Sequence, residues 1–222
     1  MRKLGLELVK FEKSDFPRLI SWIPDARFLL QWTGPGYSFP LDEKQLADNQ
    51  WEADSHPPRR YLFKAIAAPE GEVVGHIELV LHRDDPEKGR LARVLIGPTA
   101  QRGRGYGSEM VRQIVTFGFG ELKLKAIDLA VFAFNQRAIA CYKKNGFHLV
   151  ETMQDACQFE EETWSGYRME MTREKWGREL SGKKGDVTLR SDEGLPLPSL
   201  VVPFFNLPGC RAGQLPESQH RR

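Results

Sequence analysis

Residues 101–107 read QRGRGYG, three glycines at alternate positions with arginines at 102 and 104. Glycine loses more backbone freedom on folding than any other residue, so three together need a use. They sit between a strand-like run, RLARVLIGP (90–98), and a helical pattern in which Met110, Val111, Ile114, Val115 and Phe117 recur on one face. A strand that enters a glycine-rich turn and then a helix presents unpaired N–H groups at the helix N-terminus, where the macrodipole places roughly half a positive charge. Gly103, Gly105 and Gly107 put no Cβ between those amides and a ligand, and Arg102 and Arg104 add guanidinium groups suited to phosphate oxygens. The loop suits a diphosphate better than a single carboxylate.

Other readings of the same letters fit less well. A nucleotide P-loop needs a Lys-Ser/Thr pair after its glycines, and none follows here. A dinucleotide fingerprint would place glycine at 108, where Ser108 stands, and Asp128 opens its strand, the wrong end for a ribose contact. An arginine-glycine RNA-binding box belongs to disordered sequence, whereas this one lies between a strand and a helix. A glycine turn that holds nothing stays open on the loop alone.

A second constellation follows. Asn135, Ala138, Ile139 and Tyr142 are spaced i, i+3, i+4, i+7, so they share one face of a helix expected over NQRAIACYKKNG, with Asn135 as N-cap and Gly146 at the C-terminus. An amide and a phenol thus point the same way; taken alone, a capping asparagine beside a half-buried tyrosine is the better account of them.

Together the two motifs resemble the GNAT superfamily of acetyl-CoA-dependent N-acetyltransferases. Arg102-Gly103-Arg104-Gly105-Tyr106-Gly107 matches its R/Q-x-x-G-x-G/A loop, and Asn135, Ala138, Tyr142, Gly146 and Phe147 match its N-x-x-A-x-x-x-Y-x-x-x-G-F helix. The resemblance covers about residues 4–172, weakly before residue 60, and looks closest to the branch with ribosomal-protein and aminoglycoside-type acetyltransferases. It implies that the amides of Gly103 to Gly107, with Ser108, cradle the CoA diphosphate. It also implies that Leu95, Ile96 and Gly97 pair with the pantetheine arm like a further strand, and that Asn135 touches that arm. An acceptor amine would attack the thioester directly. Tyr142 is the candidate acid, because a phenol with a reference pKa near 10 can protonate a departing thiolate.

For a base, Glu78 lies on the face of VGHIELVLH opposite Ile77, Leu79 and Leu81, along with His76, Val80 and His82. It can accept the amine proton through a water or be an exposed strand carboxylate. A non-catalytic acetyl-CoA-binding sensor with the same fold is the alternative to an enzyme. Trp22, Phe28, Trp32, Tyr37, Phe39 and Trp51 fall where the family lines its acceptor side, while Asp84, Asp85 and Glu160 to Glu162 are either attractors of a cationic acceptor or solvated loops.

The elements that must position these groups read as a strand near 4–9, a short helix from Ser14 or Asp15, an aromatic loop from Pro24 to Pro40, and a helix over 41–54. An antiparallel meander at 61–69, 72–85 and 90–98 follows, then the helix after the glycines, a buried strand at 126–134, the helix at 135–146, and strands at 147–153 and 164–171. The strand at 91–97, the helix at 107–118 and the strand at 126–134 make a parallel crossover. The fold class is α/β (α+β): a GNAT-like mixed, mostly antiparallel sheet of about seven strands with a central parallel splayed pair, flanked by about four helices. Residues 1–178 form this domain, and 179–222, rich in Gly, Pro and charge without convincing periodicity, form a disordered tail.

The 222 residues carry 32 Lys+Arg against 30 Asp+Glu, a net charge of +2 that gives no global field for nucleic acid or an anionic membrane. Cys141, Cys157 and Cys210 form no CxxC pair, which argues against a disulfide framework or zinc site and favours a reducing, cytoplasmic setting. No window reaches the roughly 18 apolar residues of a membrane span. The expected partners are acetyl-CoA as co-substrate and an amine acceptor, with no metal, no nucleic acid, no membrane, and a homodimer as the self-associated form.

Overall fold

A computed structural model describes residues 5–181 and 211–212. In chain order the elements are β1 (Leu6–Lys10), α1 (Phe16–Ser21), α2 (Ala26–Thr33), α3 (Glu43–Asp54), β2 (Arg60–Ala67), β3 (Glu72–Leu81), β4 (Lys88–Ile96), α4 (Tyr106–Gly120), β5 (Ala126–Phe132), α5 (Gln136–Lys144), β6 (His148–Phe159), β7 (Glu162–Thr172), α6 (Arg173–Ser181) and the two-residue β8 (Arg211–Ala212). They build one sheet in the order β1-β2-β3-β4-β5-β7-β6-β8. Seven full-length strands and a mostly antiparallel sheet agree with the sequence; the described helices number six rather than about four.

Alternation on the central strands divides the core into two layers. Ile77, Leu79, Leu91, Ile127 and Leu129 pack with Met110, Ile114 and Phe119 of α4 and with Ile139 and Tyr142 of α5. The opposite face carries a second cluster, in which Phe16, Leu19, Leu29, Leu41 and Leu46 from the α1–α3 region meet Leu62 and Leu95 of the sheet. Because helices cover both faces, the polar side of β3 is buried rather than wet.

The crossover from β4 through α4 to β5 is parallel, yet only three residue pairs form: Lys88 with Ala126, Gly89 with Ile127 and Arg90 with Asp128. Beyond Arg90 the strands part. The cause is local: β4 bulges against β3 between the pairs Glu78–Ala92 and His76–Leu95, with Arg93 at φ 49°. A bulge bends and over-twists its strand, and this one turns the end of β4 away from β5.

Two segments differ from the sequence expectation. The aromatic loop contains α2, whose N-terminus Asp25 caps by accepting a hydrogen bond from the Phe28 N–H at 2.7 Å. Flanking Pro24, Gly34 and Pro35 compress it to eight residues, a length over which helical periodicity barely registers. Past Arg173, where no element was expected, α6 forms because Trp176 packs on Phe119, with ring centroids 5.4 Å apart, and Arg173 donates to the carbonyls of Phe119 and Leu124. The expectation of disorder at 179–222 otherwise falls outside the described residues, which retain only the end of α6 and β8.

Candidate active site

The parting of β4 and β5 opens a cleft of about 1870 Å³. The 102–108 loop and the α5 residues Asn135, Ala138 and Tyr142 line one side. The other is lined by Trp32 and Gly34 from the α2 region, by Arg60, His82, Arg90 and Arg93 of the β2–β4 region, and by Asp128 of β5. Motifs roughly thirty residues apart in sequence thus share one opening.

Gly105 is the N-cap of α4 at φ 95°, and Gly103 stands at φ 79°. Both are in the left-handed region, which a side chain enters only with strain. A Cβ at either would meet nothing within 4 Å, so backbone conformation demands glycine there and the space in front of the amides is open. No side chain caps α4, leaving its first N–H groups free to hold an anion. Ser108 Oγ accepts a 3.0 Å hydrogen bond from Asn145 Nδ2, tying the start of α4 to the end of α5.

The two arginines differ. Arg104 is exposed and makes no hydrogen bond or ion pair among the described residues. Arg102 turns back along β4: its Nε donates to the Ile96 carbonyl at 3.0 Å and Nη2 to the Gly97 carbonyl at 3.1 Å, with its guanidinium 5.6 Å from the Phe28 ring centre. It thus occupies backbone acceptors at the edge where the sequence reading placed a pantetheine arm. Leu95 and Gly97 are buried, and Gly97 is glycine because the Trp22 indole lies against it; a Cβ there would fall 1.9 Å from Trp22 Cδ2.

On α5, Asn135 Oδ1 accepts from the Ala138 N–H at 3.2 Å, so its carbonyl oxygen serves as N-cap. Tyr142 is buried, packs edge-on to Phe147 and lines the cleft; its hydroxyl makes no hydrogen bond among the described residues. Burial pushes the phenol well above its usual range, so it keeps its proton at neutral pH.

Glu78 is not the exposed carboxylate that was one expectation, and its surroundings argue against its service as a base. It is 2% exposed, receives Arg60 Nη1 at 2.6 Å and Arg93 Nη1 at 3.1 and 3.2 Å, and lies 3.0 Å from His76 Nε2. Burial alone would raise its pKa, but Arg93 and Arg60, with His76, outweigh burial and hold the carboxyl far below the usual carboxylate range. So stabilised an anion has little affinity for an amine's proton. Asp128 is a second buried carboxylate, 2.8 and 3.0 Å from Arg90 and 3.2 Å from His82 Nε2. Burial acts to raise its pKa as well, yet the hydrogen bonds of His82 and Arg90 pull it down to about 2.

The acidic residues considered for a cationic acceptor are otherwise engaged in part: Glu162 forms two hydrogen bonds with Arg27, at 2.8 and 2.9 Å, and Asp85 pairs with Lys88. The arginines on the cleft wall escaped the sequence reading. Arg90 and Arg93 interrupt an otherwise apolar strand, and a buried guanidinium requires carboxylate partners, so their spacing was the available signal.

Comparison with known proteins places these features in context. The model of the acetyltransferase (GNAT) family matches residues 26–147, more than half of the chain. The L-amino acid N-acetyltransferase AaaT of Escherichia coli is 28% identical over 107 residues, 48% of this chain and 65% of that protein, so the match spans less than two thirds of the relative's length. Among solved structures, a chimera of the spermidine N-acetyltransferase SpeG of Vibrio cholerae with hSSAT superposes with a TM-score of 0.66 at 17% identity, covering 78% of this chain and 98% of the other. The V. cholerae spermidine N-acetyltransferase in complex with CoA and spermine gives 0.64 at 19% identity over 78% and 98%.

Proposed function

This chain belongs to the acetyltransferase (GNAT) family, and from that premise we propose that it moves an acetyl group from acetyl-CoA to the primary amine of an acceptor bound in the cleft. The observation that carries the proposal is one opening shared by an uncapped helix N-terminus, a splayed parallel strand pair and a protonated, unpaired phenol. The residues fit acetyl-CoA: the α4 amides face open space, and the gap between β4 and β5 leaves backbone groups unpaired. When bound, acetyl-CoA supplies the activated acyl group.

In this account the amides from Gly103 to Ser108 hold the diphosphate, Arg104 adds charge, and Leu95 to Gly97 with Asn135 guide the arm into the splay. The amine lone pair forms the new C–N bond as the C–S bond breaks. Tyr142 gives its proton to the departing sulfur and recovers one from solvent, while the amine's surplus proton passes to water in the open cleft. Glu78 receives no proton; it orders the arginines around it. A homodimer remains part of the proposal, to be read by sedimentation equilibrium; the dodecameric form belongs to the V. cholerae neighbour.

A non-catalytic acetyl-CoA-binding module is the alternative, favoured by the commitment of Glu78 to ion pairs. Release of CoA thiol from acetyl-CoA, followed with and without an amine panel, separates the two. Amine-dependent release supports the transferase. Acetyl-CoA binding without release for any amine supports the module. The relatives described above are named for acceptors of opposite character, an amino acid and a polyamine.

A further inference from the structure

Two donors on the acceptor wall of the cleft are at least partly uncommitted. Arg93 lines the cleft at the bulge of β4, with its side chain 7% exposed. Glu78 grips Nη1, and the Tyr37 ring lies 4.2 Å from the guanidinium carbon, which fixes the plane of the group. Nε and Nη2 make no hydrogen bond among the described residues. Trp32, also on the wall, has a buried indole N–H without a partner. Its ring lies edge-on to His76 at 6.0 Å between centroids, and His76 in turn meets Glu78, the carboxylate that holds Arg93. A buried N–H left unpaired, as on Trp32, is costly and calls for an acceptor.

Charge points the same way. Arg60, Arg83 and Arg93 share two carboxylates, Glu52 and Glu78. A cationic chain extending from the reacting amine would be repelled by these guanidinium groups, most where it passes the buried Arg60 and Arg93. An anion would meet a guanidinium edge already oriented, suited to the two oxygens of a carboxylate.

We propose that the acceptor bears a carboxylate beside its amine, as an α-amino acid does, and that Arg93 Nε and Nη2 with Trp32 Nε1 bind that carboxylate. Tyr37 and Glu78 are positioning residues for Arg93. The proposal deepens the transferase reading above and rests on it for the amine's fate, but carboxylate binding is measurable without turnover.

The test is calorimetry on the full chain loaded with CoA, titrated with L-leucine and L-leucinamide, L-phenylalanine and L-phenylalaninamide, and spermidine. Each free acid is expected to bind about 10- to 100-fold more tightly than its amide, the range of hydrogen bonds to a charged group. Arg93→Lys, which keeps a charge beside Glu78, should shrink that ratio about 10-fold or more and leave acetyl-CoA affinity unchanged. Should that variant fold poorly, Arg93→Met combined with Glu78→Gln removes both charges together and should abolish the ratio, and Trp32→Phe should reduce it. Amides or spermidine binding as tightly as the acids would overturn the proposal, as would an acid preference unaltered in these variants. Acids that bind selectively but are never acetylated would support the carboxylate site and defeat the transferase reading instead.

Discussion

Tyr142 combines burial, a pKa raised by that burial and a place on the cleft wall, so in the proposed reaction it is the group that hands a proton to the departing sulfur. Tyr142→Phe should lower kcat about 100-fold or more while acetyl-CoA affinity, read by calorimetry, stays put. An unchanged kcat in a chemistry-limited assay removes the tyrosine from the mechanism. The loop arginines should separate. Arg104 is unengaged, so Arg104→Ala should weaken acetyl-CoA binding by about 3- to 10-fold, and more at low salt, as expected for an exposed charge. Arg102→Ala loses a charge but frees the Ile96 and Gly97 carbonyls, so its effect should be smaller; equal losses would show that both side chains act only through charge. At this scale the sequence was informative where chemistry is local: residues 102–107 and 135–142 each lie on one continuous turn or helix. The Arg93–Glu78 pair was not legible, because its members sit on different strands. Alternation placed Glu78 opposite the apolar residues of β3, yet nothing in that strand says that helices cover its second face.

Among the elements, the decisive feature is where β4 and β5 stop pairing, and Asp128 marks the last rung. Its carboxylate joins three strands by holding His82 just beyond β3 and Arg90 on β4. Its folded-state pKa of about 2 lies below the ordinary 3.8, so its contribution is complete above about pH 4 and lost as pH falls through 2. That difference corresponds to about 2 kcal/mol. Asp128→Asn should therefore lower the urea midpoint at pH 7, and the gap to the parent protein should close between pH 4 and pH 2. A gap that persists at pH 2 would mean that packing, not charge, is lost. The crossover, the meander and the two motif helices were readable because each has its own period and end signals. The splay entered only through the family resemblance and not through the strands' own patterns: it follows from a bulge created by the pairing of β3 with β4, a property of two strands together. The helix α2 was hidden for a related reason, since its stability comes from Leu29 and Leu30 entering two different apolar clusters rather than from its own short pattern.

For the molecule as a whole, two apolar layers on one sheet lie within residues 5–181, and α6 belongs to the first of them through Trp176. A chain ending at Ser181 should keep its thermal midpoint within about 2 °C, because among the described residues past that point two, Arg211 and Ala212, pair with the sheet. Ending the chain at Thr172 removes the Trp176 packing and the Arg173 hydrogen bonds and should lower the midpoint by roughly 5–10 °C. Equal midpoints for the two truncations would place α6 outside the folded unit. With a net charge of only +2, recognition falls to local fields, which is why the balance of arginines and carboxylates on the cleft wall matters more than the total. No helix among the described residues is long and apolar enough to cross a membrane. The most direct measurement of the central claim is mass spectrometry of the acceptor after incubation with acetyl-CoA labelled with carbon-13 in the acetyl group. The account predicts enzyme-dependent appearance of the label on the acceptor's nitrogen, matched by an equal release of CoA thiol. Saturable binding of the labelled acetyl-CoA, with the label remaining on sulfur for every amine offered, would contradict it.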